Sequence, residues 1–453
     1  MEIPKVIDIV VKNDLCIGCG ICIQVCPSKA LGIKWNEYGF LIPEEVGPCD
    51  SDGACISVCP FNPTPKKEVQ TENELAELFL NDTSESDPQI GKYNGLYAGY
   101  SPEFRQNSSS GGIATYVFSE LLERGIVNHI LSVKESDNPD FQYDYAVSSS
   151  KEDLLKASKT RYYPVSLATA LSKIDELEGT VALVGVACFI KGIRLAQINT
   201  PSLKGKITFL VGIICGGVKS RFFAEYLAEK AGVPYNQYIK PQFRIKDVDS
   251  SASDYSFGCK NVNNLSDYEL KMRTVGDMWG TGMFKANACD FCDDVTTELA
   301  DISVGDAWLA PYIEDGRGTN VVVTRSILAD NIINEGIQSG KLKIDILTRD
   351  RFLASQKGSF NHRHTGLRIR INEAKKKKQL VPPKRFEREK ISFDFAIVQK
   401  IRMKTRKMSL KIWNNSPNAI LFDEKMRKHL LILNKATLLY RYKKAIMDRL
   451  KKK

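Results

Sequence analysis

Cys16, Cys19, Cys22 and Cys26 follow one another at steps of three, three and four residues, and Pro27 comes next. Thiolates at this spacing fit an iron–sulfur cubane: three cap one cluster from a tight loop, and the fourth points away to a second cluster. Gly18 and Gly20 give the backbone the freedom to wrap such a cage. Cys49, Cys55 and Cys59, followed by Pro60, repeat the pattern, with Asp52 where a second cysteine would stand. A carboxylate oxygen is a harder and weaker ligand than a thiolate for this kind of corner. Iron held by Asp52 is therefore expected to be labile, so that the second cluster isolates partly in a 3Fe-4S form. The alternative is that Asp52 faces solvent and the corner is vacant or filled by water.

The doubled motif resembles that of two-cluster ferredoxins. By their crossed ligation, Cys16, Cys19, Cys22 and Cys59 hold one 4Fe-4S cluster, and Cys26, Cys49, Cys55 and Asp52 hold the other. Two clusters so linked make a short electron wire rather than a catalytic site. The rest of the chain must supply a source or a sink.

The elements that position these residues are legible in outline. Residues 1–65 contain seven of the 12 cysteines and read as an α+β ferredoxin-like module. Residues 66–92 read as a linker, first charged and amphipathic, then polar and turn-rich. Residues 93–360 alternate short apolar strands with helical patterns. Val181–Val186 and Ile207–Ile214 are continuous apolar runs, as strands buried on both faces would be. Ile113–Arg124 and Arg221–Lys230 have helical spacing. Residues 361–453 form a basic helical tail, broken at Pro382-Pro383 and closing with a helix over Asp423–Leu450.

Six short motifs in the central region occur in a telling order: Ser109-Ser110-Gly111-Gly112, Lys159-Thr160-Arg161-Tyr162, Gly185-Val186-Ala187-Cys188, Gly212 to Gly217 around Cys215, Cys289-Asp290-Phe291-Cys292, and Ala300 to Asp306. With the ferredoxin-like module before them, they resemble the family of beta subunits of the deazaflavin (coenzyme F420) hydrogenases and dehydrogenases, of the type with a polysaccharide-locus tail. The resemblance covers about residues 10–330. It implies an α/β flavoprotein core that binds FAD and passes electrons between a deazaflavin, ferredoxin-like or other donor and a partner or substrate. The fold expected is thus an α+β ferredoxin-like module, an α/β flavoprotein core and a basic helical tail.

The motifs have a physical reading in that light. Ser109, Ser110, Gly111 and Gly112 precede a helix, whose first N–H groups could receive the FAD pyrophosphate; an ordinary helix cap is the alternative. Lys159, Thr160, Arg161 and Tyr162 offer two cations, a hydroxyl and a ring in a strand-like stretch, to hold phosphate, cover the flavin or form a solvated edge. Cys188 and Cys215 follow apolar strands, where ligands of open sheets bind. With Cys289 and Cys292 they could close a third 4Fe-4S cluster, bind zinc, or remain simple thiols. Asp306 reads as fixing a turn with Gly305 or bonding ribityl hydroxyls, Arg194 as neutralising cofactor charge, His362 and His364 with Arg363 as a polar loop or else an acid/base or substrate contact, and Cys259 as a bystander. No nucleophilic Ser/His/Asp arrangement is visible, and no catalytic residue is assigned.

Charge is unevenly divided. From Asn361 onward the chain holds 28 Lys+Arg against 7 Asp+Glu, while the remainder is acidic by 11. The tail's clusters, Lys375–Lys378, Arg402 to Lys411, Lys443-Lys444 and Lys451–Lys453, alternate with apolar residues. Such a tail suits the acidic body of its own chain, a partner enzyme or an anionic membrane surface; nucleic acid is disfavoured, since no reading module is present. The N-terminus lacks an export signal, and no apolar run nears the roughly 18 residues that span a bilayer. A cytoplasmic protein, peripheral at most at the inner membrane face, is expected. The expected function is an iron–sulfur and FAD oxidoreductase acting on a small molecule or carrier-linked substrate; the alternatives are an electron-transfer subunit that feeds another enzyme and a scaffold that has lost its flavin.

Overall fold

The cysteine-rich unit is one turn built twice. In the computed structural model, which describes residues 3–386 and 390–450, short helices Ile21–Gln24 and Ala54–Ser57 accompany an antiparallel hairpin of Leu31–Trp35 and Leu41–Glu45. Each helix is entered through a left-handed glycine, Gly20 at φ 77° and Gly53 at φ 79°, and Gly18 and Ser51 are left-handed two residues earlier. The match puts Asp52 in the place of Cys19. A Cβ at Gly20 would meet Ser166 Oγ at 2.2 Å and Ala168 Cβ at 2.8 Å, so only glycine lets this loop press against the central region.

That region is organised on an eight-stranded mixed sheet. Its order is Lys343–Ile346, Gly95–Tyr100, Asn320–Thr324, Ile302–Asp306, Ile207–Ile213, Val181–Val186, His129–Glu135, Tyr143–Ser148. The inner strands from Ile302–Asp306 to His129–Glu135 run parallel, and the outer pairings are antiparallel. Ala182, Phe209 and Val211 face the helices Ile113–Glu123 and Ile327–Gln338, while Val181, Leu183 and Leu210 face Ala187–Asn199. Burial on both faces is why these strands read as unbroken apolar runs. A second, three-stranded sheet of Tyr238–Ile245, Ser256–Asn261 and Asp267–Lys271 closes over an aromatic core with the helix Arg221–Ala231.

Residues 66–92, expected as a linker, fold onto the body. Glu72–Phe79 is a helix opened by a capping box of Thr71 and Glu74, with Leu75 fully buried. Glu85–Asp87 pairs with Gly91–Tyr93. The polar composition has internal partners: Glu72 is buried against Lys191 at 3.1 Å. The tail runs through Leu367–Lys376, Phe393–Asn415 and Ala419–Leu450, the last helix beginning about one turn before the expected start. Trp413 docks it, fully buried against Tyr226, Phe284 and Phe422, with its indole N–H donating to Glu225 Oε2 at 2.8 Å. Lys451–Lys453 lie outside the described residues. Among those residues no helix is long and apolar enough to cross a membrane.

Candidate redox centres and cofactor cavity

The N-terminal thiols lie close to one another. Cys22 is pushed up by burial and then by the charges of Cys19, Cys16, Cys59 and Cys55. Cys55 is raised by burial, with Cys26 and Cys49 as its thiol neighbours. Burial lifts Cys16 up to about 12 and Cys19 up to about 11. Left alone these thiols stay protonated near neutrality; a bound cation is what makes the thiolate stable. Backbone donors stand ready for that form. Gly18 N–H points to Cys16 Sγ at 3.4 Å and Ser51 N–H to Cys49 Sγ at 3.3 Å, and Ile21 serves Cys19 in the same way. Asp52 Oδ1 takes the equivalent bond from Ala54 N–H at 3.0 Å.

Four further cysteines, remote in sequence, meet in the central region. Cys188 lies in the first turn of Ala187–Asn199, Cys215 follows the strand Ile207–Ile213, and Cys289 and Cys292 bracket the turn Ala288–Phe291. Burial raises Cys188, and Cys289, Cys292, Cys215 and then Cys19 add to the effect. The N-terminal and central thiol sets are therefore neighbours, and Tyr145 feels both Cys188 and Cys19. Gly217 N–H donates to Cys215 Sγ and Val218 N–H to Cys289 Sγ, each at 3.2 Å.

Beside this set opens a cavity of about 850 Å³, whose wall includes Cys215. That volume lies within the roughly 300–1,000 Å³ of small-molecule sites. Ser109, Ser110 and Gly112 line it together with Lys159, Thr160, Arg161 and Tyr162, Gly185, Gly216 and Asp306. Thr160 N–H donates to Ser109 Oγ at 2.9 Å, which joins the first two motifs directly. Because that N–H serves a side chain, Lys159–Tyr162 is irregular rather than a strand. Gly112, at φ 80°, opens the helix Ile113–Glu123 without a side-chain cap, and Ile113 N–H goes to Asn320 Oδ1 at 3.2 Å. The serines thus face the cavity wall and do not cap the helix. Arg161 and Arg244 add two guanidinium groups to the cavity wall, their Nε atoms turned into the protein. Lys246 donates to Ser110 O at 2.8 Å; burial, with Lys159, Arg105 and Arg244 beside it, depresses it to about 7. Tyr162 meets Trp279 edge to face, 4.7 Å between ring centres.

Several sequence expectations change here. Asp306 does not fix a turn: it ends a strand and forms an ion pair with Arg244. Arg194 is buried away from the cavity, donating to Leu299 O at 3.0 Å and pairing with Asp301 at 3.4 Å, so it braces the sheet. Asp301 itself accepts Leu210 N–H at 2.9 Å. His362 and His364 are not a solvent loop. They lie in the buried turn Asn361–Thr365, with His362 Nε2 3.1 Å from Lys285 Nζ and His364 stacked on Phe386. Cys259 sits in the aromatic core, away from the other thiols. Other residues also matter: Arg244 and Trp279 at the cavity, Lys246 behind Ser110, and Arg363 and Lys384 beside Cys292. Only their spatial neighbours reveal them.

The tail's charge has found its partner within the chain. Lys384 pairs with Asp293 at 3.0 Å, Arg385 with Glu298 at 2.6 Å, and Arg406 with Asp290 at 3.0 Å. All three acids belong to the stretch that carries Cys289 and Cys292. Arg385 and Lys384 hold Asp293 well below the usual carboxylate range despite its burial.

Comparison with known proteins agrees with this layout. A family model described as coenzyme F420 hydrogenase/dehydrogenase, beta subunit N-term, matches residues 96–172, its C-terminus counterpart matches residues 179–350, and a 4Fe-4S dicluster domain matches residues 8–60. An F(420)H(2) dehydrogenase component of Methanosarcina mazei is 23% identical over 70% of this chain and 83% of its own. The beta subunit of coenzyme F420 hydrogenase from Methanosarcina barkeri is 25% identical over 60% and 90%. A ferredoxin of Pyrobaculum islandicum is 34% identical over 17% of this chain and 68% of its own. A chain of the F420-reducing NiFe hydrogenase complex from Methanosarcina barkeri shares the fold with a TM-score of 0.50 and 22% identity, covering 66% of this chain and 99% of that one. With an iron–sulfur dicluster module joined to both halves of that core, the chain belongs to the family of coenzyme F420 hydrogenase/dehydrogenase beta subunits.

Proposed function

We propose that this chain is an iron–sulfur flavoprotein oxidoreductase that moves electrons between a ferredoxin-like or deazaflavin donor and a small-molecule or carrier-linked substrate. The observation that carries the reading is the shared position of Cys215, which both lines the cavity and belongs to a four-thiol set adjoining Cys19. Cys16, Cys19, Cys22 and Cys59 would hold one 4Fe-4S cluster, and Cys26, Cys49, Cys55 and Asp52 a second. Cys188, Cys215, Cys289 and Cys292 would hold a third. Among the described residues no three His, Cys, Asp or Glu side chains converge closely enough to share one metal ion; a cage with its own sulfides takes thiols that stand farther apart.

The cavity fits FAD: its size, the Lys159, Arg161 and Arg244 cations of its wall and the Tyr162 and Trp279 rings suit a pyrophosphate on a planar ring. Ser109, Ser110, Gly111, Gly112, Lys159, Thr160, Arg161 and Tyr162 would hold it. FAD, when bound, supplies the conversion between single-electron and paired-electron transfer. The domain limits proposed are 1–65, 93–360 and 361–453, with 66–92 as a folded connector.

Named relatives are subunits of hydrogenase and dehydrogenase enzymes, which supports a second reading: an electron-transfer subunit that feeds a partner. The outer face of Ala419–Leu450 leaves Leu431, Leu438, Leu439 and Tyr442 exposed among basic residues, which favours peripheral contact with an anionic membrane. Iron, sulfide and flavin counted in anaerobically purified protein test the cofactor set. Material without flavin refutes the oxidoreductase reading, and reduction followed by a screen of acceptors separates the enzyme from the electron-transfer subunit.

A further inference from the structure

Arg363 is a buried cation that touches no carboxylate among the described residues, Asp294 acting on it only from farther off and after three thiols. It is 4% exposed. One terminal nitrogen donates to Cys292 Sγ at 3.2 Å and to the carbonyl of Asp294, and the other donates to the carbonyl of Cys215. Among the described residues no carboxylate lies within ion-pair distance of it. Three of its neighbours differ: Lys285 has Asp290 at 2.7 Å, Lys384 has Asp293 at 3.0 Å and Arg406 has Asp290 at 3.0 Å; Arg370, also buried, donates to the carbonyls of Asp290 and His362 and to Gln399, and touches no thiol. A buried charge with no counter-charge is strongly disfavoured. The anion that Arg363 lacks should therefore be sought where its hydrogen bonds point, at the Cys215 and Cys292 thiolates.

We propose that Arg363 is the counter-charge of the third cluster, and that its charge and N–H···S bond hold the reduction potential of that cluster up. The inference rests on the third-cluster reading above. Reduction adds one electron, and hence one negative charge, to a cage already made anionic by four thiolates. A fixed cation in contact with a ligand sulfur favours the reduced form, as does hydrogen bonding to that sulfur. The residue comes from the turn Asn361–Thr365, beyond the region matched to the beta-subunit models, which ends at residue 350. The tail would thus supply an electronic setting and not merely a brace.

The test is a potentiometric titration with dithionite under argon, followed by electron paramagnetic resonance, on the full chain and on Arg363→Gln and Arg363→Lys. Iron and sulfide are counted in each. The expected result is iron for three clusters in all three proteins. One reduction step in Arg363→Gln should move to lower potential by at least about tenfold in its equilibrium constant, or about 59 mV for one electron, and should stay near its original position in Arg363→Lys. A wild-type count that accommodates only two clusters refutes the third-cluster reading itself. Three clusters with no step displaced in Arg363→Gln overturn the counter-charge and leave that reading standing. Should Arg363→Gln shed one cluster, the lysine variant decides. Retention there at an unshifted potential supports the charge; loss in both variants reduces Arg363 to a clamp between loops.

Discussion

Thr160 donates its backbone N–H to the Ser109 hydroxyl at 2.9 Å, and so fastens two walls of the cavity that lie 51 residues apart in sequence. Removing the hydroxyl leaves a part-buried N–H unpaired, at a cost of about 1–2 kcal/mol. Ser109→Ala is expected to keep its full iron content and to bind FAD about five- to thirtyfold more weakly. Flavin fluorescence during titration measures this; unchanged affinity would place the cofactor elsewhere.

Asp52 gives a second prediction. Its place in the repeated turn and its bond from Ala54 match those of Cys19, and its side chain is exposed. Asp52→Cys should convert a labile corner into a stable one: iron rises by about one per chain, and the 3Fe-4S signal of oxidised protein disappears. The reverse experiment, mild oxidation of the unaltered chain, should release that iron first. Identical spectra and iron in the two proteins would remove Asp52 from the ligand set.

Lys246 ties cofactor affinity to pH. It is depressed to about 7, by burial first and then by Lys159, Arg105 and Arg244. Above that value the amine, which stands behind Ser110 of the cavity wall, is neutral. A phosphate-bearing ligand restores the charge, so binding takes up a proton, and affinity must fall as pH rises through about 7 toward the ordinary lysine range. FAD dissociation constants at about pH 6 and about pH 8.5 should differ accordingly in the unaltered protein. Lys246→Met should flatten the profile.

Trp413 is the bolt of the tail. It is fully buried among Tyr226, Phe284 and Phe422, and its N–H serves Glu225. Truncation to alanine should cost about 3–5 kcal/mol of docking. In Trp413→Ala trypsin should cut the basic segment beyond residue 390 early, whereas the parent resists until the whole chain opens. Equal digestion patterns would show that the tail is held by its ion pairs alone.

Contact with a membrane makes its own prediction. Leu431, Leu438 and Tyr442 share one helical face and are about half or more exposed. The chain should sediment with vesicles of phosphatidylglycerol and phosphatidylcholine and stay free of pure phosphatidylcholine. Serine at all three positions should abolish sedimentation without loss of iron. Binding that ignores lipid charge would refute the proposal.

The cysteine spacing and the unbroken apolar strands were legible because each is set by local geometry: a loop that fits a cage, a strand covered on two faces. The convergence of Cys188, Cys215, Cys289 and Cys292 was legible only as residue type, since it depends on which strands become neighbours. The roles of Asp306 and Arg194 were misread for the same reason. Asp306 has Arg244 as a partner from another sheet, and Arg194 has Asp301, 107 residues away. Residues 66–92 looked like a linker because their polar side chains bond inward, and composition does not show the direction in which a carboxylate points. Arg363 was legible only as a member of the His362–His364 loop; a cation in a basic tail becomes distinctive when buried beside a thiol.

The loop of Cys19 is not a free-standing appendage. Leu167 N–H donates to Cys19 O at 2.9 Å, and Gly20 has no room for a side chain against Ser166 and Ala168. A detached carrier must collide with its acceptor, orient and leave, and each of those steps depends on concentration, viscosity and salt. Here the encounter has been completed by the chain itself. Traffic across this seam should be unimolecular, indifferent to dilution and ionic strength, and governed by separation and driving force alone.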